Sequence, residues 1–140
     1  MAKYEIEGLE STLIAFEQLA KFPEDLQDGI LQEQADRLVY DLKLRGEGYG
    51  VYDTGKMLSS IKAGKVKDGK DGRQITVSPT GSRKRGKTRV RNAEIAFVQN
   101  YGTRHQPARP FWTDTIELTK MEMAKIAERR IDEWLKSLNL

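Results

Sequence analysis

The residues best suited to chemistry in this sequence are His105, Glu94 and Asp114. His105 is the single histidine, and the two carboxylates flank the loop that contains it. One imidazole and two carboxylates make a hydrolytic or metal site only when they converge on one point, and their spacing does not couple them. The favoured interpretation is a solvent-facing His105 between Arg104 and Gln106. The chain is therefore not expected to be an enzyme.

Other catalytic arrangements have little support in the sequence. The absence of cysteine excludes thiol catalysis, disulfides and thiolate metal sites. Ser59 and Ser60 have no obvious base partner. The glycine-rich residues 46–53 lack the spacing of a phosphate-binding loop. Acid pairs such as Glu117 and Glu122 are common on helix surfaces. We therefore expect no cofactor and no metal.

A basic segment over residues 83–91 is the one feature that suggests a ligand directly. Six of the 24 basic residues lie there without an acid, and the rest of the chain carries 18 basic and 21 acidic residues, a net charge of −3. Such a segment attracts phosphates, but it contains no aromatic residue for base stacking. Three interpretations stay open: a solvated, flexible loop over 81–92, a contact with an acidic partner or neighbouring subunit, and nonspecific binding of nucleic acid. Its cations are Arg83, Lys84, Arg85, Lys87, Arg89 and Arg91.

The elements that must position these residues can be predicted from hydrophobic spacing. Residues 3–7 alternate as in a short edge strand, and residues 9–20 have apolar residues at helical spacing. Pro23 is suited to the first turn of a helix, which we predict to end at Gly46. A short helix over 55–61 and two strands over 62–68 and 73–79 follow, with a hairpin turn between the strands.

The second half of the chain is predicted to contain a long C-terminal helix. Residues 93–101 are apolar but too few to classify by their period, and residues 102–110 form a loop. The last 30 residues have one broad apolar face. The fold class is therefore α+β: a single domain over residues 1–140 whose small, mostly antiparallel sheet is packed by helices near 23–45 and 111–137.

Two helices have apolar residues that their main faces do not explain. In the helix near 23–45, one stripe contains Leu31, Ala35, Leu38 and Leu42, and Leu26, Ile30, Tyr40 and Leu44 lie roughly opposite. The second side packs either on another subunit or on another helix of the same chain. In the C-terminal helix, Leu118 and Met121 stand among charges, either by chance or as a subunit contact.

Three stretches of the sequence together resemble a phage family. Residues 54–61 (TGKMLSSI) resemble its TGxLxxSI motif, residues 96–103 (AFVQNYGT) its apolar run ending in aromatic-Gly-Thr, and residues 106–111 (QPARPF) its PARPF signature. Their order and spacing match as well, over roughly residues 3–136. The family is the phage tail-completion and head–tail joining proteins, also described as minor tail or neck components. Met57 replaces the usual leucine, and Asn100 stands where the family often has glutamate.

The resemblance implies a mechanical function at the head–tail junction of a bacteriophage or prophage virion. The protein would complete or stabilise the tail end as a ring or other homo-oligomer, in contact with other connector and tail proteins. It would assemble in the host cytoplasm. No apolar run approaches the roughly 18 residues that span a bilayer, so no membrane partner is expected. The alternative is a nonspecific nucleic-acid-binding module acting through residues 83–91.

The motif residues are turn-formers and anchors in physical terms. Thr54 is a plausible N-cap followed by Gly55, and Met57, Leu58 and Ile61 would hold that turn on the core. Gly102 is expected to adopt a conformation that a side chain forbids. Arg109, fixed between two prolines, would pair with an acid of its own core or of a neighbour. The predicted motif set is Thr54, Gly55, Met57, Ile61, Tyr101, Gly102, Thr103, Pro107, Arg109, Pro110 and Phe111, with Tyr101 and Phe111 as anchors.

Overall fold

The structure, a computed structural model, describes residues 2–6, 12–16, 21–50, 56–70 and 72–138. It contains four helices and two antiparallel sheets in these ranges, which confirms the α+β class. The elements are β1 (Ala2–Ile6), β2 (Thr12–Phe16), α1 (Glu24–Gly48), α2 (Lys56–Ser59), β3 (Ile61–Ala63), β4 (Lys67–Gly69), β5 (Gly72–Pro79), β6 (Ser82–Arg85), β7 (Thr88–Arg91), α3 (Asn92–Tyr101) and α4 (Phe111–Ser137).

Strand β5 is the centre of the larger sheet. It pairs with β2 on one side and with β3 and β4 on the other, and β1 lies at the edge beyond β2. Ile75 and Val77 of β5 are buried and alternate with half-buried polar residues, as expected for a strand with one face on the core. Gly69 pairs with Gly72 across the predicted turn. The predicted edge strand and hairpin turn are confirmed, but the strand predicted over 62–68 is divided into β3 and β4.

The predicted helix over residues 9–20 is wrong. Residues 12–16 form strand β2, in which Thr12 pairs with Val77 and Ile14 with Ile75. Both Thr12 and Ile14 are fully buried. Their alternation has the period of a strand, and the indole Nε1 of Trp112 donates to Thr12 Oγ1 at 2.7 Å. These long-range contacts outweigh the helical spacing of the neighbouring apolar residues.

Helix α1 packs on two sides within the chain. The predicted stripe is fully buried against the sheet and belongs to the main core: Leu31, Ala35, Leu38 and Leu42. Ile30 packs on Ala127 of α4 in a second cluster that Phe22, Leu26 and Ile131 border. This agrees with a helix wedged between the sheet and another helix, one of the two alternatives. Tyr40 and Leu44, however, stay exposed.

Helix α1 continues past Gly46, its predicted end, to Gly48. Gly46 is buried because Leu58 of α2 crosses it, and a Cβ there would lie 2.5 Å from Leu58 Cδ2. The glycine therefore permits a close helix contact instead of ending the helix. Helix α2 is shorter than predicted, because Ile61 already belongs to β3. The proposed N-cap Thr54 and its neighbour Gly55 lie outside the described residues.

Helix α4 runs antiparallel to α1, and buried polar groups set their register. Gln34 Nε2 donates to the carbonyl of Met123 at 2.8 Å, and Thr119 Oγ1 donates to Asp41 Oδ2 at 2.9 Å. The predicted bounds of α4 are confirmed. Buried polar groups must be paired to avoid a desolvation cost. These bonds therefore favour one alignment of the two helices over others.

The basic segment forms a second, two-stranded sheet, whereas a flexible loop was predicted for residues 81–92. Strands β6 and β7 pair antiparallel from Ser82–Arg91 to Arg85–Thr88. We call residues 82–91 the basic hairpin. Gly86 in its turn has φ +63°, a conformation that suits glycine in tight turns. The sequence shows no alternation of apolar and polar residues here, because Val90 is the one apolar residue in the segment.

Candidate functional site

The second and third motifs form one structural unit that joins α3 to α4. Asn100, at the end of α3, is buried. Its Oδ1 accepts from the backbone N–H groups of Trp112 at 3.0 Å and Thr113 at 3.3 Å. These are donors in the first turn of α4, which have no partner within their own helix. Asn100 therefore caps α4 from another element, in the position where the family often has glutamate.

Gly102 makes the turn between these helices possible. Its φ is +75° and its ψ is −178°, a combination open almost only to glycine. A Cβ would lie 2.6 Å from the backbone nitrogen of Ala108. The N–H of Thr103 donates to the carbonyl of Gln106 at 2.8 Å, and the reverse bond is 3.2 Å. The expectation for Gly102 is therefore confirmed.

Arg109 links this unit to the end of α1. Its backbone N–H donates to the carbonyl of Gln99 at 2.7 Å, and its Nη1 donates to the carbonyl of Gly50 at 3.1 Å. In the part of the chain that the structure describes, its partners are carbonyls and not the acid that the sequence suggested. Arg109 is held in a defined place, as predicted, but its side chain stays exposed.

Tyr49 and Asp114 make a second contact between the same helix ends. The Tyr49 hydroxyl donates to Asp114 Oδ2 at 2.6 Å. This hydrogen bond raises the pKa of Tyr49, because loss of the phenol proton would place two negative charges side by side. Asp114 also lies in the first turn of α4, where a carboxylate is favoured by the helix dipole.

The remaining anchors divide between the core and the surface. Met57 and Ile61 of the first motif are buried, and so are Phe111 and its neighbour Trp112, which confirms their predicted packing. Tyr101 is 48% exposed and lies against Phe97 with ring centroids 4.9 Å apart. Tyr101 therefore contacts Phe97 near the surface, and the buried residue at this corner is Asn100. Pro107 is exposed and Pro110 half-buried.

An exposed apolar surface lies on the pair formed by α1 and α4. We define the outer apolar surface as Tyr40, Leu44, Leu118 and Met121, which are 62%, 55%, 56% and 73% exposed. The register is fixed by Asp41 to Thr119 and Gln34 to Met123. In that register, Leu44 is level with Leu118 and Tyr40 with Met121. The four side chains therefore lie on neighbouring turns of the two helices.

Three of the four residues, Tyr40, Leu44 and Leu118, share one side of the helix pair. Each residue turns an α-helix by about 100°, so Tyr40 and Leu44 lie about 100° and 60° from Asp41, away from the sheet-facing stripe. Leu118 lies about 100° from Thr119 in the same sense, whereas Met121 lies about 160° from Thr119 and faces away from α1. The contacts of Glu33 with Arg129 and Arg130 fall on this side as well. The predicted exposure of Leu118 and Met121 is confirmed, and Tyr40 and Leu44 extend the surface.

The basic hairpin lies elsewhere, beside α3. Between them is a cleft of about 190 Å³, lined by Val90, Glu94, Ile95, Val98, Gln99 and Gln106. This volume is smaller than the roughly 300 Å³ at which pockets for small molecules begin. The cleft therefore separates two elements and does not suggest a substrate site.

The residues first considered for chemistry do not converge. Glu94 accepts from Arg91 Nε at 3.1 Å, Asp114 accepts from Tyr49, and His105 is exposed in the turn. Among the described residues, no group of three or more histidine or acidic side chains is arranged to hold a metal ion. No described helix is long and apolar enough to cross a membrane.

Comparison with protein families, curated proteins and solved structures finds no match to this chain. The phage family therefore rests on the three motifs and stays a resemblance. The geometry adds that the second and third motifs meet in one corner of the fold. The Asn100 cap was not predicted from the sequence, although a polar residue at the end of an apolar run was a visible signal.

Proposed function

We propose that the protein is a structural component of a tailed-phage virion. It would complete or stabilise the tail end at the head–tail junction, without catalysing a reaction. The resemblance of the three motifs supports the family. The single structural observation that carries the proposal is the outer apolar surface, because exposed apolar groups on neighbouring turns of two packed helices are typical of protein–protein contacts.

In this proposal the outer apolar surface is the contact between neighbouring copies in a ring or other homo-oligomer. Leu118 would lie at its centre beside Tyr40 and Leu44, and Met121 would extend the surface around α4. The corner formed by Asn100, Gly102 and Arg109 holds the start of α4 rigidly against α1. A rigid helix pair presents its apolar side chains in fixed positions, so less conformational entropy is lost on association.

Deletion of the gene from the phage or prophage that encodes it tests the junction role. We expect the induced lysate to contain filled heads and free tails by negative-stain electron microscopy, with tailed particles restored by the supplied protein. The virion would also contain the protein. Tailed, infectious particles in the absence of the gene would remove the proposed function.

Complementation with variants tests the surface separately. The double variant Leu118→Ser with Met121→Ser is expected to fold but to leave heads and tails unjoined, because the apolar contact is lost. The matched control, Leu135→Ser with Leu138→Ser, removes two exposed leucines from the end of α4 and should restore joining. If the first variant also restores joining, the outer apolar surface is not the contact, although the junction role would stand.

A further inference from the structure

The basic hairpin has two unlike faces. Residues paired across an antiparallel ladder point to the same side, so Arg83 and Val90 share one face, whereas Lys84 and Arg89 share the other. Val90 is half-buried against the core, which identifies its face as the inner one. The outer face contains Ser82, Lys84, Arg89 and Arg91, and all four are exposed.

The outer face is cationic and lacks apolar groups. The centre of a protein–protein interface is depleted of charge and rich in apolar or aromatic side chains, which these residues do not provide. A phosphodiester backbone requires cations and hydrogen-bond donors instead. Single-stranded nucleic acid is usually bound by stacking on aromatic rings, and residues 82–91 contain none. These features favour a duplex over a protein or a single strand.

The hairpin also has a shape that suits a duplex. A two-stranded antiparallel ribbon fits the major groove of DNA. Arg89 and Arg91 are two residues apart on one face of a strand, a distance of about 7 Å. This distance is about twice the axial rise per phosphate along one strand of DNA. Lys84 lies directly opposite Arg89. Two like charges at such a pair destabilise a hairpin, and a bound polyanion would reduce their repulsion.

The base of the hairpin holds this face in position without using its cations. The backbone N–H of Asn92 donates to the carbonyl of Gly81 at 3.0 Å, and Asn92 Nδ2 donates to the carbonyl of Thr80 at 2.7 Å. Thr80 in turn donates its N–H to the carbonyl of Ser60 at 2.9 Å. Substitution of Lys84 or Arg89 therefore leaves the anchoring contacts intact.

We propose that the outer face of the basic hairpin binds the phosphate backbone of duplex DNA without sequence preference. Lys84, Arg89 and Arg91 are the contacting residues. Arg91 is partly neutralised by Glu94 at 3.1 Å. Replacement of that acid should therefore strengthen binding. This site is independent of the proposed junction role, since binding to DNA in solution requires no other virion protein.

The test is binding of the whole protein to a fluorescent 30-base-pair duplex of mixed sequence, by anisotropy over a salt series. The slope of log affinity against log salt falls by about 0.9 for each phosphate contact removed. Lys84→Gln with Arg89→Gln should therefore reduce the slope by about 2 and weaken binding at low salt. The control Lys125→Gln with Lys136→Gln removes equal charge from exposed positions on α4 and should leave the slope unchanged.

A second pair of variants tests the opposite sign. Glu94→Gln should tighten binding because it frees Arg91. Glu117→Gln breaks an ion pair of the same spacing on α4 and should not. The proposal is overturned if the protein does not bind the duplex. It is also overturned if the hairpin double variant and the α4 double variant lose affinity equally, because binding would then follow net charge alone. It is also overturned if polyglutamate of equal charge competes as well as the duplex, which would indicate an acidic protein partner.

Discussion

Asn100 stabilises a helix to which it does not belong. Its Oδ1 accepts from two backbone N–H groups of α4, whereas its Nδ2 is buried and has no hydrogen-bond partner among the described residues. The oxygen of this side chain therefore makes its contacts with α4. A carboxylate offers that acceptor too, with a negative charge that the positive end of the helix dipole favours.

Substitutions of Asn100 should distinguish the contribution of its acceptor oxygen to stability from that of its amide nitrogen. Asn100→Ala is expected to lower the free energy of unfolding by about 1–2 kcal/mol, as for loss of a helix N-cap. Asn100→Asp should keep most of that stability at pH 7, because Oδ1 is retained. Urea denaturation followed by circular dichroism measures both. Equal losses in the two variants would show that the hydrogen bonds to α4 do not carry the effect.

The role of a single residue could be predicted from the sequence where it depends on the local backbone conformation alone. Gly102 was recognised from its place before a proline-rich loop, and its positive φ is confirmed. The burial of Asn100 was not predicted, because it depends on where α4 begins, 11 residues later along the chain. A large aromatic ring is the usual anchor, but here the small amide occupies the buried position.

Gly46 shows how two elements share one position. In the interior of α1 a glycine is less favourable than alanine by about 1 kcal/mol. The contact with Leu58 explains its presence, because α2 could not approach α1 as closely over a Cβ. Gly48, two residues later in the same helix, has nothing within 4 Å of its hypothetical Cβ. The two glycines therefore form a matched pair.

Alanine at these two positions should have effects of opposite sign. Gly46→Ala is expected to destabilise the fold by about 1–3 kcal/mol, the usual cost of overpacking a core. Gly48→Ala should stabilise it by up to about 1 kcal/mol through helix propensity. Thermal unfolding of the two variants and the unchanged protein provides the measurement. Stabilisation by Gly46→Ala would mean that Leu58 yields easily and that the α1–α2 contact is loose.

The elements that were predicted wrongly are the ones whose partners are far away in sequence. The β4–β5 hairpin was recognised from its own turn, with glycines at both ends. Strand β2 was not, because its evidence lies in β5 and in Trp112, which is 100 positions from Thr12. The strands of the basic hairpin were not predicted, since Val90 is the one apolar residue among its strand residues. Period alone does not distinguish such a strand from coil.

Ion pairs join distant elements of the molecule at two places. Arg73 of β5 contacts Glu24, Asp28 and Asp68, which joins the sheet to the start of α1. Hydrogen bonds with Asp28 chiefly raise the pKa of Arg73. At the other face, Glu33 contacts Arg129 and Arg130. Burial raises the pKa of Glu33, but hydrogen bonds from these two arginines outweigh it, and the pKa is lowered from 4.5.

Glu33 should therefore contribute to stability at neutral pH and lose this contribution in acid. Because its pKa is lower in the folded state, the contribution is complete well above 4.5 and disappears as the pH falls through the folded pKa. Glu33→Gln is expected to be less stable at pH 7 and to lose less between pH 7 and pH 3. Glu128→Gln, at an exposed position of α4, is the control. Parallel pH profiles for Glu33→Gln and the unchanged protein would contradict this account.

The antiparallel pairing of α1 with α4 has a consequence for the time course of folding. The hydrogen bonds that align the two helices join residues 78, 89 and 97 positions apart. Closing such long segments costs conformational entropy before any of the stabilising contacts has formed. The sheet and α1 can pack early in folding, whereas the surface around Ile30 and Gln34 stays exposed to solvent until α4 packs on it. Docking of α4 is thus expected to limit the folding rate, and the uncovered flank of α1 is where a half-folded chain would aggregate.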